Sequence, residues 1–336
     1  MSPPLPPIEA AMKIAVIITC YNEGQYVEGA LQSVLDQSAS HVIEEIIISD
    51  DGSDQPTLAV LDRLADRDPR VRILFNGRFT EARPNGLARN RNYAIAQTAA
   101  PLIALLDADD TWDARKIETQ MAVIESAPDT ALVYTSFELF QDGPGTESEY
   151  GIVRDLATSR DTALDYFLND PPIVPSTVLM RRAIFDQVGR FDEAITVFED
   201  TDFFFRCARK GRLAAASECL VRKRVHSSAI TSKRDHLMKH HAFVAMHVAF
   251  QEPRLIPLVG KRLSERAYKL GNVESSHGNL TTGRCLYKLS VRMNPFQLKP
   301  WLALGLSYLG GHGMMVSVKR HLSSTRPHNT LQGRAK

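Results

Sequence analysis

Leu102-Ile103-Ala104-Leu105-Leu106-Asp107-Ala108-Asp109-Asp110 is an apolar run that ends in three carboxylates within four positions. A short run of this kind suits a β-strand buried on both faces, as in a parallel sheet. Three similar runs precede it, at 14–19, 43–49 and 71–75. Helix-like stretches at 26–37, 56–66, 87–98 and 114–126 alternate with them. A β-α-β-α order of this length predicts an open, mainly parallel sheet wound with helices on both faces.

Ligands of such sheets collect at the carboxyl ends of the strands. Here those ends are acidic. The first strand runs into Thr19-Cys20-Tyr21-Asn22-Glu23 and the second into Asp50-Asp51-Gly52-Ser53-Asp54. Neither GxGxxG nor GxxxxGK[ST] occurs, which argues against a dinucleotide fold and a P-loop NTPase. A phosphate ligand would then need a divalent cation held by carboxylates. Asp107 and Asp109 point the same way if the backbone stays extended, so the pair can share one ion. Oxygen donors favour Mg²⁺ or Mn²⁺. The alternative is an acidic turn in which Asp110 or Thr111 caps the next helix.

Further along, the pattern predicts a β-rich run at 130–140, a loop at 141–151, a short helix at 162–169 and a Pro-rich turn at 171–175. A strand at 176–180, a helix at 201–210 and a strand at 212–224 follow. After about residue 235 the pattern is helical only.

The strings Val16-Ile17-Ile18-Thr19-Cys20-Tyr21-Asn22-Glu23, Ile47-Ile48-Ser49-Asp50-Asp51-Gly52-Ser53-Asp54, Gly86-Leu87-Ala88-Arg89-Asn90 and Ile103-Ala104-Leu105-Leu106-Asp107-Ala108-Asp109-Asp110 occur in this order. Ser176-Thr177-Val178-Leu179-Met180-Arg181-Arg182, Val188-Gly189-Arg190-Phe191-Asp192-Glu193, Glu199-Asp200-Thr201-Asp202 and Arg224-Val225-His226 come after them. Together, over about 13–232, they resemble the family 2 glycosyltransferases of GT-A fold. The resemblance implies an α/β, GT-A type doubly wound sheet. It also implies inverting transfer of a sugar from a nucleoside diphosphate sugar, usually UDP-linked, to an acceptor hydroxyl. By match to the motifs, Asp50 would bind the base or ribose, and Asp107 and Asp109 would handle ribose, metal and diphosphate. Asp200 matches the family's catalytic base, and His226 its R-x-H position. Asn92 departs from the pattern, because many relatives carry glycine there.

The chemistry is consistent with those roles. Cleavage of a sugar–phosphate bond leaves charge on the diphosphate, which a metal stabilises, and a carboxylate opposite can deprotonate the acceptor. Glu199 and Asp202 stand beside Asp200, and the residues alone do not separate the three; the resemblance selects Asp200. The aromatic run Phe203-Phe204-Phe205 should desolvate these acids and raise the base's pKa. Tyr21 and Glu23 are expected to line the nucleotide pocket. Arg89 is a candidate partner for a carboxylate or phosphate, Trp112 a candidate for stacking on a sugar face, and His226 a candidate for the metal shell.

The chain's 336 residues, 24% charged and 44% hydrophobic, describe a globular protein. Cys20, Cys207, Cys219 and Cys285 form no CxxC pair, and the N-terminus does not resemble a secretory signal, so a cytoplasmic location is expected. The reading divides the chain into a Pro-rich disordered leader at 1–12, a catalytic domain at 13–235 and a helical subdomain at 236–336. The catalytic domain's nucleotide-sugar half is 13–110 and its acceptor half 111–235. From Pro253 onward there are 14 Lys or Arg against two acids, a charge of +12, while the rest carries −11. A basic region of this kind suits peripheral contact with the anionic inner face of a membrane, and residues 301–309, followed by Lys319, Arg320, Arg326 and Arg334, suit an interfacial helix. No nucleic-acid-binding motif accompanies the charge. The expected partners are thus the nucleotide-sugar donor and a glycan, lipid-linked or protein acceptor, in polysaccharide synthesis. The competing readings are a nucleotidyltransferase and a non-catalytic nucleotide-sugar binding protein.

Overall fold

The computed structural model describes residues 12–76, 86–141, 149–226 and 237–309. Two compact units divide the chain, Met1–Gln251 and Glu252–Lys336. Of the expected leader only Met12 is among the described residues.

In the first unit, β1 (Ile14–Cys20), β2 (Ile43–Asp50), β3 (Val71–Phe75) and β4 (Leu102–Asp107) alternate with α1 (Val27–Leu35), α2 (Gln55–Leu64) and α3 (Leu87–Ala96). The short β5 (Thr111–Trp112) and helix α4 (Lys116–Ser126) follow β4. Every residue of β1 is buried, as a strand between two helical layers must be. Each fully buried aliphatic side chain there contributes about 1.5–3 kcal/mol of transfer free energy. β1 pairs with β2 and β4, and β2 with β3, all in parallel. The register sets Cys20 beside Asp50 and Thr19 beside Asp107. The carboxyl ends of β1, β2 and β4 therefore share one edge.

Beyond β4 the sheet is mixed rather than mainly parallel. The later elements are β6 (Thr130–Phe140), β7 (Glu149–Gly151), α5 (Thr162–Asn169), β8 (Leu179–Arg181), α6 (Arg182–Val188), α7 (Glu199–Ala208) and β9 (Arg212–Arg224). The strand order is β3-β2-β1-β4-β8-β6-β9-β5, with β7 beside β6. β8 runs antiparallel to both β4 and β6, while β6 and β9 are parallel. The strand expected at 176–180 is instead a 3₁₀ turn at Pro175–Thr177 leading into β8. Pro175 suits the first position of such a turn.

Helix α8 (Leu237–Gln251) belongs to the first unit, so the division falls after it and not at residue 235. Its contacts explain this. Gln251 Nε2 donates to Asp202 on α7 at 2.7 Å, and His241 stacks on Phe198 with ring centroids 3.8 Å apart. The second unit holds α9 (Val259–Ser276), α10 (Leu280–Met293) and α11 (Leu298–Leu309). Among the described residues no helix is long and apolar enough to cross a membrane.

Helix α3 ties the first unit together through three consecutive buried polar residues, Asn90, Arg91 and Asn92. Successive helical side chains lie about 100° apart, so three in a row fan out to different neighbours. Asn90 Nδ2 donates to the Ser49 carbonyl on β2 at 2.8 Å, and its Oδ1 accepts from Ser49 Oγ at 2.6 Å. Asn92 clamps the segment before α7: Phe191 N–H donates to Asn92 Oδ1 and Asn92 Nδ2 donates to the Phe191 carbonyl, each at 2.9 Å. Asn92→Ala leaves both Phe191 groups without these partners in a buried setting, so we expect a loss of about 2–4 kcal/mol of unfolding free energy. Urea denaturation measures it; a change below half a kilocalorie would mean the clamp adds nothing.

Candidate active site

At the shared edge the first two loops lock together. Asn22 adopts a left-handed conformation, φ 57°, which asparagine tolerates better than most side chains. Its N–H donates to Ser53 Oγ and its Oδ1 accepts from Asp54 N–H, both at 2.8 Å. Asp54 caps α2 by accepting from Thr57 N–H. Asp50 is fully buried, and its carboxylate accepts from Gly52 N–H at 3.0 Å and Ser53 N–H at 3.1 Å. It shapes the turn between β2 and α2. Its neighbour Asp51 accepts from Gly86 N–H at 2.9 Å and so holds the start of α3.

The carboxylates after β4 do not point the same way, because the strand stops at Asp107 and turns. Asp110 N–H donates to the Asp107 carbonyl at 3.0 Å across that turn. Each acid then has its own task. Asp107 Oδ1 accepts from Arg91 Nη2 at 2.9 Å and Thr19 Oγ1 at 3.2 Å. Asp110 accepts from Ser176 Oγ at 2.6 Å and from Arg224 N–H at 2.9 Å, which fixes the end of β9. Neither Asp110 nor Thr111 caps a helix, since α4 begins only at Lys116. Asp109 Oδ2 lies 2.9 Å from His226 Nε2.

Glu23, Asp109 and His226 form a group whose ligand atoms all lie within 4.8 Å of one another. Two carboxylates and an imidazole are donors suited to a divalent cation. Asp107 is not in this group. Of the expected Asp107–Asp109 pair, Asp109 stands with residues from β1's loop and β9's end, and Asp107 with Arg91 and Thr19.

The electrostatics follow from crowding. Burial, then the charges of Asp109 and Asp107, push the Glu23 carboxyl up to about 9. Such a group ionises readily only beside added positive charge. Burial raises Asp110 to about 7 against the pull of Lys223, whose Nζ lies 3.6 Å away. Burial would also raise Asp107, but Arg91 and Lys223 outweigh it and hold that carboxyl below its ordinary value. Burial would lower the Lys223 ammonium; Asp110, Asp107 and Asp109 outweigh it and keep it charged.

Helix α7 brings the last acids. Phe198 precedes it in a left-handed conformation, φ 66°. Glu199 is buried and paired with Arg91 Nη1. Asp202 is buried and paired with Arg206 at 2.9 Å. Asp200 is half-buried and accepts at 2.7 Å from the N–H of Thr201 in its own helix. Its carboxyl is raised, mainly by burial, against the opposing charge of Arg91. Phe203, Phe204 and Phe205 are fully buried, and Phe203 stacks on Phe191 with ring centroids 4.1 Å apart.

Residues 15–189, more than half of the chain, match the sequence profile of the family described as Glycosyl transferase family 2. The chain belongs to glycosyl transferase family 2. Among relatives of this family 2 protein is the putative teichuronic acid biosynthesis glycosyltransferase TuaG of Bacillus subtilis, 28% identical over 224 residues, 66% of this chain and 82% of TuaG. Another is the succinoglycan biosynthesis protein ExoU of Rhizobium meliloti, 28% identical over 275 residues, 77% of this chain and 73% of ExoU. Among solved structures, S. aureus TarS 1-349 in complex with UDP-GlcNAc superposes with a TM-score of 0.58 at 16% identity, covering 94% of this chain and 93% of that one. The mannosyltransferase PcManGT of Pyrobaculum calidifontis, in complex with GDP-Man and Mn²⁺, superposes with a TM-score of 0.57 at 14% identity, covering 97% and 85%. These likenesses show the fold, which is of the GT-A type.

Within this family 2 site, sequence reasoning named Glu23, Asp107, Asp109, Asp200 and His226, and the structure brings them to one edge. Tyr21 is 41% exposed beside Glu23. Arg89 is exposed on α3, and the arginine that meets the carboxylates is Arg91, two residues on. Trp112 is only 6% exposed; its indole N–H donates to the Ser176 carbonyl and the Lys116 ammonium lies 3.9 Å over its ring. It is a core side chain, which corrects its expected place on the sugar. Sequence reasoning missed Arg91 and Lys223. The available signals were a second arginine inside an otherwise Ala- and Asn-rich helix, and a lysine three residues before His226.

Arg91→Met leaves Asp107 and Glu199 buried without their cation, so chemical denaturation should show a loss of about 3–5 kcal/mol. Arg89→Met, at an exposed position, should change stability by about half a kilocalorie at most. Equal effects of the two substitutions would contradict the pairing.

Proposed function

We propose that this protein transfers a sugar, with inversion, from a UDP-linked nucleoside diphosphate sugar to an acceptor hydroxyl of a growing polysaccharide. The observation that carries this reading is the separation of the three acids on α7. Glu199 and Asp202 are consumed by Arg91 and Arg206, whereas Asp200, among the described residues, accepts from Thr201 of its own helix and is raised in pKa. That is the condition of a general base. The names of TuaG and ExoU support the polysaccharide context, and the UDP-GlcNAc complex of TarS supports the donor class.

In this reading Asp200 takes the proton of the acceptor hydroxyl as its oxygen bonds to the anomeric carbon. The bond from that carbon to the diphosphate breaks on the opposite side. Tyr21 and Glu23 line the nucleotide pocket, and Lys223 and Arg91 keep the carboxylate edge from repelling a diphosphate. Glu23, Asp109 and His226 would hold Mg²⁺ or Mn²⁺, which supplies positive charge to the leaving diphosphate. The Mn²⁺ in the PcManGT complex supports the choice of ion.

Metal binding must expel the proton that Glu23 retains up to about pH 9. Thermal stabilisation by Mn²⁺ should therefore grow between about pH 6 and 9, and Asp109→Ala should remove it, together with turnover. Stabilisation independent of pH, or full turnover in excess EDTA, would count against the ion site.

Asp200→Asn keeps the shape of the side chain but cannot accept the acceptor's proton. Single-turnover rates should fall about 10²–10⁴-fold, while calorimetry of the UDP-sugar shows unchanged affinity. A wild-type rate would remove Asp200 as the base, and parallel loss of donor affinity would assign it to donor binding.

A further inference from the structure

Helix α11 (Leu298–Leu309) is mostly apolar, with Lys299 its one charged residue, and is buried on one side only. The buried positions, Pro300, Ala303 and Ser307, are small. The large side chains face outward: Leu298 is 74% exposed, Leu302 66% and Leu309 83%, with Trp301 and Tyr308 about half exposed. Their spacing, steps of three and four at the start of the helix and of seven across Gly305, places them on one face. Phe296, 94% exposed, extends it past the helix start. A row of large apolar groups turned to solvent marks a contact surface.

The charge around the stripe identifies what it meets. From residue 275 to 336 the chain has nine Lys or Arg and no Asp or Glu. Arg284, Lys288, Arg292 and Lys299 lie on α10 and α11, and Arg284 and Lys288 lie over the Tyr308 ring at 4.4 and 5.8 Å. Lys319, Arg320, Arg326, Arg334 and Lys336 lie outside the described residues.

We propose that the outward stripe of α11 docks on an anionic lipid bilayer surface, with Leu298, Trp301, Leu302 and Leu309 entering the interface and the flanking cations facing the headgroups. A Trp- and Leu-bearing helix edged by cations, without acids, has the composition of an interfacial helix. A second copy of the chain is the weaker partner, because a symmetric contact would set one acid-free cationic surface against another. The proposal gives the interfacial helix expected at 301–309 its outward face and the cations beside it. It is independent of the glycosyl transfer assigned above.

The test is co-sedimentation of the full chain with vesicles of phosphatidylcholine alone and of phosphatidylcholine mixed with phosphatidylglycerol. The protein should pellet with the mixed vesicles, in a salt-sensitive manner, and not with the neutral ones. Leu298→Ser/Leu302→Ser/Leu309→Ser, at exposed positions, should weaken this binding about tenfold or more without changing the melting temperature or UDP-sugar affinity. Lys288→Gln/Arg292→Gln/Lys299→Gln should weaken it and flatten its salt dependence. Absence of any preference for anionic vesicles would overturn the proposal, as would undiminished binding of the triple serine variant. Light scattering that shows a dimer lost in that variant, with no vesicle binding in either protein, would assign the stripe to self-association instead.

Discussion

The site rests on one buried guanidinium. Arg91, on α3, lies between Asp107 at the end of β4 and Glu199 at the start of α7, with both carboxylates in direct contact. Burial alone would lower its pKa, but Asp107, Glu199 and Asp200 outweigh it and keep the charge. A cation so enclosed needs its partners, and they need it. The sheet end and the helix that carries Asp200 are thus fixed relative to each other by a contact that neither could make alone.

This arrangement distributes the acids. Seven carboxylates lie at the ends of β1 and β4 or the start of α7, and left alone they would repel one another. Arg91 takes Asp107 and Glu199, Lys223 stands beside Asp110, and Arg206 takes Asp202. Glu23 and Asp109 are left with His226, which is a donor set for a cation, and Asp200 keeps a raised pKa with Thr201 as its hydrogen-bond donor among the described residues. The chemical roles proposed for the last four residues follow from which carboxylates the fold has already neutralised.

Much of the fold was legible because its strands are buried runs and its helices lie between them. The helix at 162–169 and the strands at 130–140 and 212–224 match α5, β6 and β9 end to end. The short β5, β7 and β8 were not legible, since two or three residues carry no periodicity and depend on partners distant in sequence. Asp107 and Asp109 were read as a pair because alternation holds in a strand, and the turn at Ala108 breaks it. Arg91 escaped because α3 buries polar side chains, so that an amphipathic pattern gives no indication of which arginine faces inward. Trp112 was placed on the ligand by its position after the carboxylates, whereas pairing of β5 with β9 turns it into the core. The three acids of α7 could be told apart only by the cations beside them, and those come from α3 and from the next turn of α7 itself.

The central claim is that Asp200 deprotonates the acceptor in a single displacement at the anomeric carbon. The configuration of the glycoside formed from an α-linked nucleotide sugar tests it most directly, read by proton NMR of the anomeric coupling. The account predicts a β-linked product. An α-linked product would require a second displacement or a same-face departure, and would contradict the role given to Asp200.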